Sequence, residues 1–385
     1  MSSSLCAWRT VVFAWTAAIA AIAGIAGIAT LAAEPALAFD FVPTRYDDPV
    51  PDGCLPADCS LREAVIDANA AADSDRILLS AGVYAIDLFG SGENAAATGD
   101  LDILQDTEIV GVAAGLTILD AAGLGEPLLS SNQPGLDVAL RRLTVSNSDV
   151  SGLQLGIGTY AIEECEIRDN GTNSGHHGII TSVGANLTLR RVSIVGNAGN
   201  GLNLIQSTTT IENSTLSGNG VRDLFILLAA AFSCSHCTIS DPADSDSEVA
   251  IFSSSNVSFA NSIVAGECLF SSGSLISLGG NVESAGHTCT FTQGSDHGDV
   301  TAVALALGAL AANGGPTRTH LPGAASAAAG SADDALCLAD DQRGVARTTD
   351  CESGAVELTS AVVPTALFSD GFQQAGTGAW SATIP

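Results

Sequence analysis

Residues 138–145 read VALRRLTV, residues 160–167 read YAIEECEI and residues 187–194 read LTLRRVSI. All three fit one template, apolar-x-apolar-x-x-apolar-x-apolar, which alternates within each half and carries one extra residue in the middle. Two-residue alternation is strand periodicity, and the extra residue marks a bend. Weaker copies, with small or β-branched residues at some apolar positions, start at Thr209, Phe232 and Val257. Successive starts lie 22, 27, 22, 23 and 25 residues apart. A unit of that length built from short strands cannot bury its own apolar face, but stacked copies share one continuous core. A helical repeat of similar period needs amphipathic stretches of roughly 10–15 residues, and this region has none. The chain therefore reads as an all-β solenoid of coils stacked in parallel.

The residues between the template copies agree with that reading. Asn170-Gly171, Gly196-Asn197 and Gly218-Asn219-Gly220 follow the second, third and fourth copies, and both residue types tolerate the left-handed backbone angles of sharp corners. Asn170, Asn197 and Asn219 fall at one offset, which predicts a stacked amide ladder. A second short strand is expected after each corner, at Leu153–Leu155, Ile179–Thr181, Leu202–Leu204 and Val221–Phe225. The apolar stretch Leu224–Phe232 is too short to cross a bilayer and reads as two buried strand segments with their connection. The middle pair of the template alternates in charge from coil to coil: Arg141-Arg142, Glu163-Glu164, Arg190-Arg191, Glu212-Asn213. Rungs about 4.8 Å apart would bring opposite charges together, a device for register rather than a large source of stability. An arginine-lined ligand groove is the functional alternative for the same residues.

Both ends carry signals of their own. Arg9, the apolar stretch Val11–Ala33 and Ala36-Leu37-Ala38 follow the order of a secretory signal peptide cut after Ala38, with a retained membrane anchor as the alternative. Ser60 and Glu63 form a capping-box pattern ahead of a short helix whose Leu61, Ala64, Val65 and Ala68 share one face. That helix is expected to plug the first coil. The domain reading is 1–38 signal peptide, 39–75 N-terminal cap, 76–300 solenoid, 301–358 C-terminal module and 359–385 linker and tail.

The 13 basic residues are all arginine, against 42 acidic ones, for a formal net charge of −29. Such a surface repels nucleic acid and anionic membranes. No membrane span is expected after the signal, and a soluble, secreted or surface-bound monomer is. Sequence proximity pairs Cys54 with Cys59, Cys234 with Cys237, Cys268 with Cys289 and Cys337 with Cys351, leaving Cys165 single. Cys234-Ser235-His236-Cys237 also has a metal-binding spacing, but no second Cys/His cluster in the sequence completes four ligands.

Cys59–Asn69 (CSLREAVIDAN) resembles the signature of the CSLREA domain, which stands at the front of exported bacterial proteins. Residues 313–320 (NGGPTRTH), 341–347 (DQRGVAR) and 354–357 (GAVE) resemble the end of the choice-of-anchor Q proteins. The resemblance implies a right-handed parallel β-helix of the pectate-lyase-like kind, secreted or at the cell surface, and implies no established reaction. Leu321–Gly330 is shorter and richer in alanine than that pattern, and Glu352-Ser353 stands where an acidic-plus-aliphatic pair is usual. The segment from Leu367 to Ser381 is similar to a short tail on some exported bacterial proteins.

Three functions compete. A surface protein binding glycans or other cells without catalysis is the function expected, with a polysaccharide lyase or glycoside hydrolase as the alternative and a structural spacer as the second. Gln154, Asn203, Arg222 and Asp223 are expected together on the second-strand face, which reads first as an ordinary solvated face and second as a polar binding strip. His176 and His177, bounded by Gly175 and Gly178, are candidates for acid/base or metal-binding work. A hydrolase needs two carboxylates roughly 5–10 Å apart, and no such pair on one outward face is recognisable in the sequence. Asp100, Asp102 and the stretch Asp244–Glu248 read first as turns and second as Ca²⁺ ligands. No cofactor other than Ca²⁺ is expected, and the partner expected is extracellular polysaccharide or a cell surface.

Overall fold

A computed structural model describes residues 39–71, 74–240, 247–253, 255–284 and 286–358. The expected signal peptide, the linker and tail, and Asp244–Asp246 lie outside the described residues.

The chain enters the fold through the capping helix, Leu61–Ala70. Ser60 Oγ accepts from the Glu63 N–H at 3.2 Å while the Glu63 carboxylate accepts from the Ser60 N–H at 2.7 Å, closing the capping box. Leu61, Ala64, Val65 and Ala68 are buried against the first strands, Asp75–Leu78 and Leu101–Ile103. Arg62 is buried as well, which the apolar face did not announce. Its guanidinium holds the Asp48 carboxylate at 2.7 and 2.8 Å and donates to the carbonyls of Ala96, Gly99 and Asp100. A buried charge persists only when paired and fully hydrogen-bonded, and this one is.

Beyond the cap the chain winds into a parallel β-helix. The template positions stack in register: Val138, Tyr160, Leu187, Thr209, Phe232 and Val257 form one column, and Val145, Ile167, Ile194, Leu216, Ile239 and Val264 another. Both columns lie in an 18-stranded sheet, and the strands after each corner form a second sheet of eight. One hydrophobic cluster runs through the coils from Cys59 to Phe291. The extra template residue has a common geometry. Arg142, Glu164, Arg191, Asn213, His236 and Asn261 all adopt φ between 47° and 56°. A strand that simply continued past an inserted residue would turn its apolar side outward, and one left-handed residue restores the inward face.

The second corner has its own left-handed column, Asn147, Asp169, Gly196 and Gly218. The residue after each is Ser148, Asn170, Asn197 or Asn219, and the last three form the expected ladder. Asn170 Nδ2 donates to Asn197 Oδ1 at 3.0 Å, and Asn197 Nδ2 to Asn219 Oδ1 at 2.8 Å. Asn219 Nδ2 then donates to Asp223 Oδ1 at 2.7 Å, so a carboxylate terminates the amide chain. That corner extends through Asp223, which delays the following strand. It runs Leu224–Leu227 rather than Val221–Phe225.

The alternating charges pair as expected and the series begins earlier than the template. Asp40 meets Arg76 at 3.5 Å, Arg76 meets Glu108 at 3.4 Å, and Arg141 bridges Glu108 at 2.6 Å and Glu163. Glu163 continues to Arg190 at 2.8 Å, and Glu164 to Arg191 at 3.1 Å. Arg141, Arg190 and Arg191 are thus occupied by neighbouring rungs, whereas Arg142 forms no ion pair among the described residues. All four expected disulfides are formed, and Cys165 is free and buried, its thiol pushed up to about 12 by the apolar surroundings.

Residues 301–358 do not simply close the last coil. They run back along the side of the solenoid as a strap over the left-handed bends. Arg318 reaches Glu166 at 3.2 Å, Asn213 donates to the Asp340 carbonyl at 2.9 Å, and Thr215 donates to Gln342 Oε1 at 2.6 Å. Farther along, the Ala355 N–H donates to Thr238 Oγ1 at 3.0 Å and the Asp333 N–H to Asn261 Oδ1 at 2.7 Å. Five successive coils are crossed. Among the described residues no helix is long and apolar enough to cross a membrane.

Candidate functional site

The eight-stranded sheet turns alternate side chains outward, and its register lines them up along the solenoid axis. One column runs Asp102, Ser130, Gln154, Ile180, Asn203, Phe225. At the end nearest the cap, the loop between Leu88 and Gly99 rises beside this face and makes a groove of about 670 Å³. Gln154 lines it, as do Asn132, Gln133, Ser130 and four carboxylates, Glu93, Asp100, Asp102 and Glu126. None of the lining side chains is basic.

The acidic end is built by strand alternation. Leu101 and Ile103 of the strand Leu101–Ile103 enter the core, which turns Asp102, and Asp100 just before the strand, toward the groove. Gly99 precedes them at φ +65°, where an added Cβ would collide with the Glu126 carboxylate. Glu126 in turn accepts from the N–H groups of Gly92 at 3.2 Å and Asp100 at 3.3 Å, while Glu93 accepts from those of Ala95 and Thr98, both at 2.9 Å. Asp102 Oδ2 accepts from the Ala96 N–H at 3.0 Å. Arg62 grips the carbonyls of this same loop from below, so the capping helix fastens the wall of the groove.

Burial pushes the Asp102 carboxyl up to about 6, reinforced by the charges of Asp100, Glu93 and Glu126 and opposed by the Ala96 N–H. Burial also raises Asp100, while a hydrogen bond with the Ser130 side chain works in the opposite sense. Two carboxyls side by side with different hydrogen-bond support are the raw material of acid/base division of labour. In the sequence Asp100 and Asp102 read first as turn residues, and no carboxylate pair is recognisable there. The missed signal was Asp-Leu-Asp-Ile, a strand alternation too short to stand out beside the longer template.

The remaining candidates do not assemble into one strip. Asn203 is in register with Gln154 but is almost fully buried, and its amide meets His177 Nε2 at 2.8 Å. His177 Nδ1 accepts from the Asn200 N–H at 3.0 Å, and Asn203 Nδ2 is the atom beside its Nε2. Burial followed by the neighbouring His176 lowers His177 to about 4. This buried pair braces a corner. His176 is directed to Thr172 and Asn173 in the same loop. Asp223 is fully buried as the ladder's terminus, and Phe225 occupies the outward position expected for the Arg222-Asp223 pair. Arg222 precedes the strand, its carbonyl accepting from the Gly201 N–H at 2.8 Å. Nearer the far end of the solenoid, His236, Cys337 and Cys351 bring their ligand atoms within 4.8 Å of one another.

A family model described as right handed beta helix region matches residues 177–299. The match and the strand register agree on a right-handed parallel β-helix. Among solved structures, the chain is similar to pectate lyase Pel9A, with 11% identity over 83% of this chain and 96% of that one, at a TM-score of 0.42. It is also similar to Geobacillus virus E2 ORF18, with 10% identity over 63% and 61% of the two chains and a TM-score of 0.30. No curated protein matches.

Proposed function

We propose that this right-handed β-helix binds a neutral polysaccharide along the outer face of its second sheet and hydrolyses it at the acidic end of the groove. The observation that carries the reading is the pair Asp100 and Asp102, one just before and one within the strand Leu101–Ile103 and both lining the groove. Strand rise puts their Cα atoms roughly 6–7 Å apart, which brings both carboxyls within reach of one bound sugar. Asp102 retains its proton in mildly acidic solution and serves as general acid to the leaving oxygen. Asp100, whose carboxyl burial raises against the opposing hydrogen bond with Ser130, stands beside it as the second carboxyl of the pair. The lack of basic side chains along the groove argues for neutral sugars and against uronates, whose carboxylates would meet four like charges. The same feature disfavours a lyase, which needs cations beside the uronate. The four disulfides support an exported protein working in an oxidising compartment.

Binding without cleavage is the second reading, favoured by Asn132, Gln133 and Gln154, whose amides suit sugar hydroxyls without performing chemistry. The test incubates the purified chain, with and without Ca²⁺, with neutral and acidic polysaccharides and follows new reducing ends and retention of polymer. Hydrolysis of a neutral polymer that falls about 100-fold or more in Asp102→Asn, with retention unchanged, is the expected result. Retention without cleavage by the wild type overturns the hydrolase and leaves the binder. Release of unsaturated uronates would establish the lyase instead.

A further inference from the structure

The Cys234-Ser235-His236-Cys237 segment has a metal-binding spacing that lacks partners in the sequence, and the strap brings partners to it. His236 sits at the left-handed bend of its coil, fully buried, with Cys351 Sγ 3.7 Å from its Nε2. The imidazole's tautomer follows from its neighbours. Asn261 Oδ1 accepts from the Asp333 N–H at 2.7 Å and its Nδ2 donates to the Asp333 carbonyl at 3.1 Å, which fixes the amide. The Asn261 NH₂ therefore faces His236 Nε2 at 3.3 Å, so Nε2 carries the lone pair and Nδ1–H points to Ser235 Oγ at 3.2 Å. His236 Nε2 and the sulfurs of Cys337 and Cys351 lie within 4.8 Å of one another, so a metal there would take the Nε2 lone pair from the Asn261 NH₂. Asp334 Oδ1 lies 3.9 Å from Cys337 Sγ. Two sulfurs and one imidazole nitrogen are three ligands of a tetrahedral Zn²⁺ site, and the Ser235 hydroxyl already orients the ring's other nitrogen.

We propose that the Cys337–Cys351 disulfide and a Zn²⁺ ion are alternative staples of the strap. Oxidised, the two sulfurs bond to each other; reduced, they hold Zn²⁺ together with His236 Nε2, and water completes the fourth position. In the reducing step a phosphine gives two electrons to the S–S bond and takes an oxygen from water. Water's two protons end on the two thiols. Zn²⁺ then displaces one proton from each sulfur. This inference is independent of the hydrolase reading, because the cluster lies on the strap side of the solenoid and shares no residue with the groove.

The full chain is treated with a water-soluble phosphine, exposed to ZnCl₂, desalted and assayed for zinc beside an unreduced sample. One Zn²⁺ retained per reduced chain and none by the oxidised chain is the expected result. Affinity should fall about 10–100-fold in His236→Ala and retention should vanish in the Cys337→Ser/Cys351→Ser double variant, while Cys234→Ser/Cys237→Ser keeps it. No retention by the reduced wild type, equal retention by His236→Ala, or loss in Cys234→Ser/Cys237→Ser overturns the proposal. Co²⁺ loaded into the wild type keeps the test independent of variant folding. Thiolate-to-cobalt charge transfer with tetrahedral d–d bands is expected, and an octahedral spectrum refutes the site.

Discussion

Asn197 spans three coils through a single side chain. Its Oδ1 receives Asn170 Nδ2 and the Asn170 N–H, and its Nδ2 donates to Asn219 Oδ1 and the Ile167 carbonyl. Asn197→Ala leaves buried donors and acceptors unpaired, and a loss of about 2–4 kcal/mol is expected in urea unfolding. The buried histidines give stability a defined pH dependence. His177 and His236 are lowered to about 4 and about 3, both first by burial, so between pH 6.5 and those values the unfolded chain binds more protons than the folded one. Stability should therefore fall as pH drops below 6.5. Asp102 acts in the opposite sense, because its folded value near 6 exceeds its unfolded one, and its contribution is present at low pH and lost as pH rises through 6. Thermal melts from pH 7 to 4 should decline in the wild type and decline less in His177→Gln. Identical slopes would remove His177 from the account.

Among the elements, the left-handed bend is where local chemistry and coil geometry disagree. Asn213 and Asn261 suit φ near 50°, but Arg142, Glu164 and Arg191 do not. The coil tolerates them because the bend is imposed by the inward columns on either side. Arg142 is exposed and forms no ion pair among the described residues, so Arg142→Gly should raise the urea midpoint by an equivalent of roughly 0.5–1 kcal/mol. Arg191→Gly relieves the same backbone cost but loses the Glu164 bridge, and should be near neutral. The capping helix is the other informative element. Its box, its apolar face and its cystine were legible from residues 54–68, whereas the engagement of Arg62 with Asp48 and the groove loop was not.

Across the whole molecule, each coil touches only its neighbours, and the strap is what ties five of them together. The segments that resemble the choice-of-anchor Q ending are spent on this docking. Arg318 engages Glu166, Gln342 engages Thr215, and Arg347 pairs with the buried Glu357 at 3.2 Å. Cys337→Ser/Cys351→Ser, measured without added metal, should loosen the strap and accelerate amide exchange in Thr208–Ser217 and Ala231–Ser240. The first coils should be unaffected, since a solenoid transmits stability through adjacent interfaces. Uniform acceleration along the chain would contradict that nearest-neighbour picture.

The solenoid was readable from the sequence because every coil repeats the same local solution. Alternation, one inserted bend residue and an Asn at a constant offset all report on contacts between equivalent positions, and the spacing of equivalent positions is itself a sequence property. The disulfides and charge pairs were legible for the same reason, as they join residues that are near in the chain or one coil apart. The groove and the strap were decided by tertiary structure alone. Asp100, Asp102 and Glu126 become one acidic wall because an irregular loop folds beside the second sheet, and His236 meets Cys351 across 115 residues because the strap turns back. Such contacts join non-equivalent positions at no fixed separation, so no periodicity records them, and only the folded chain brings them together.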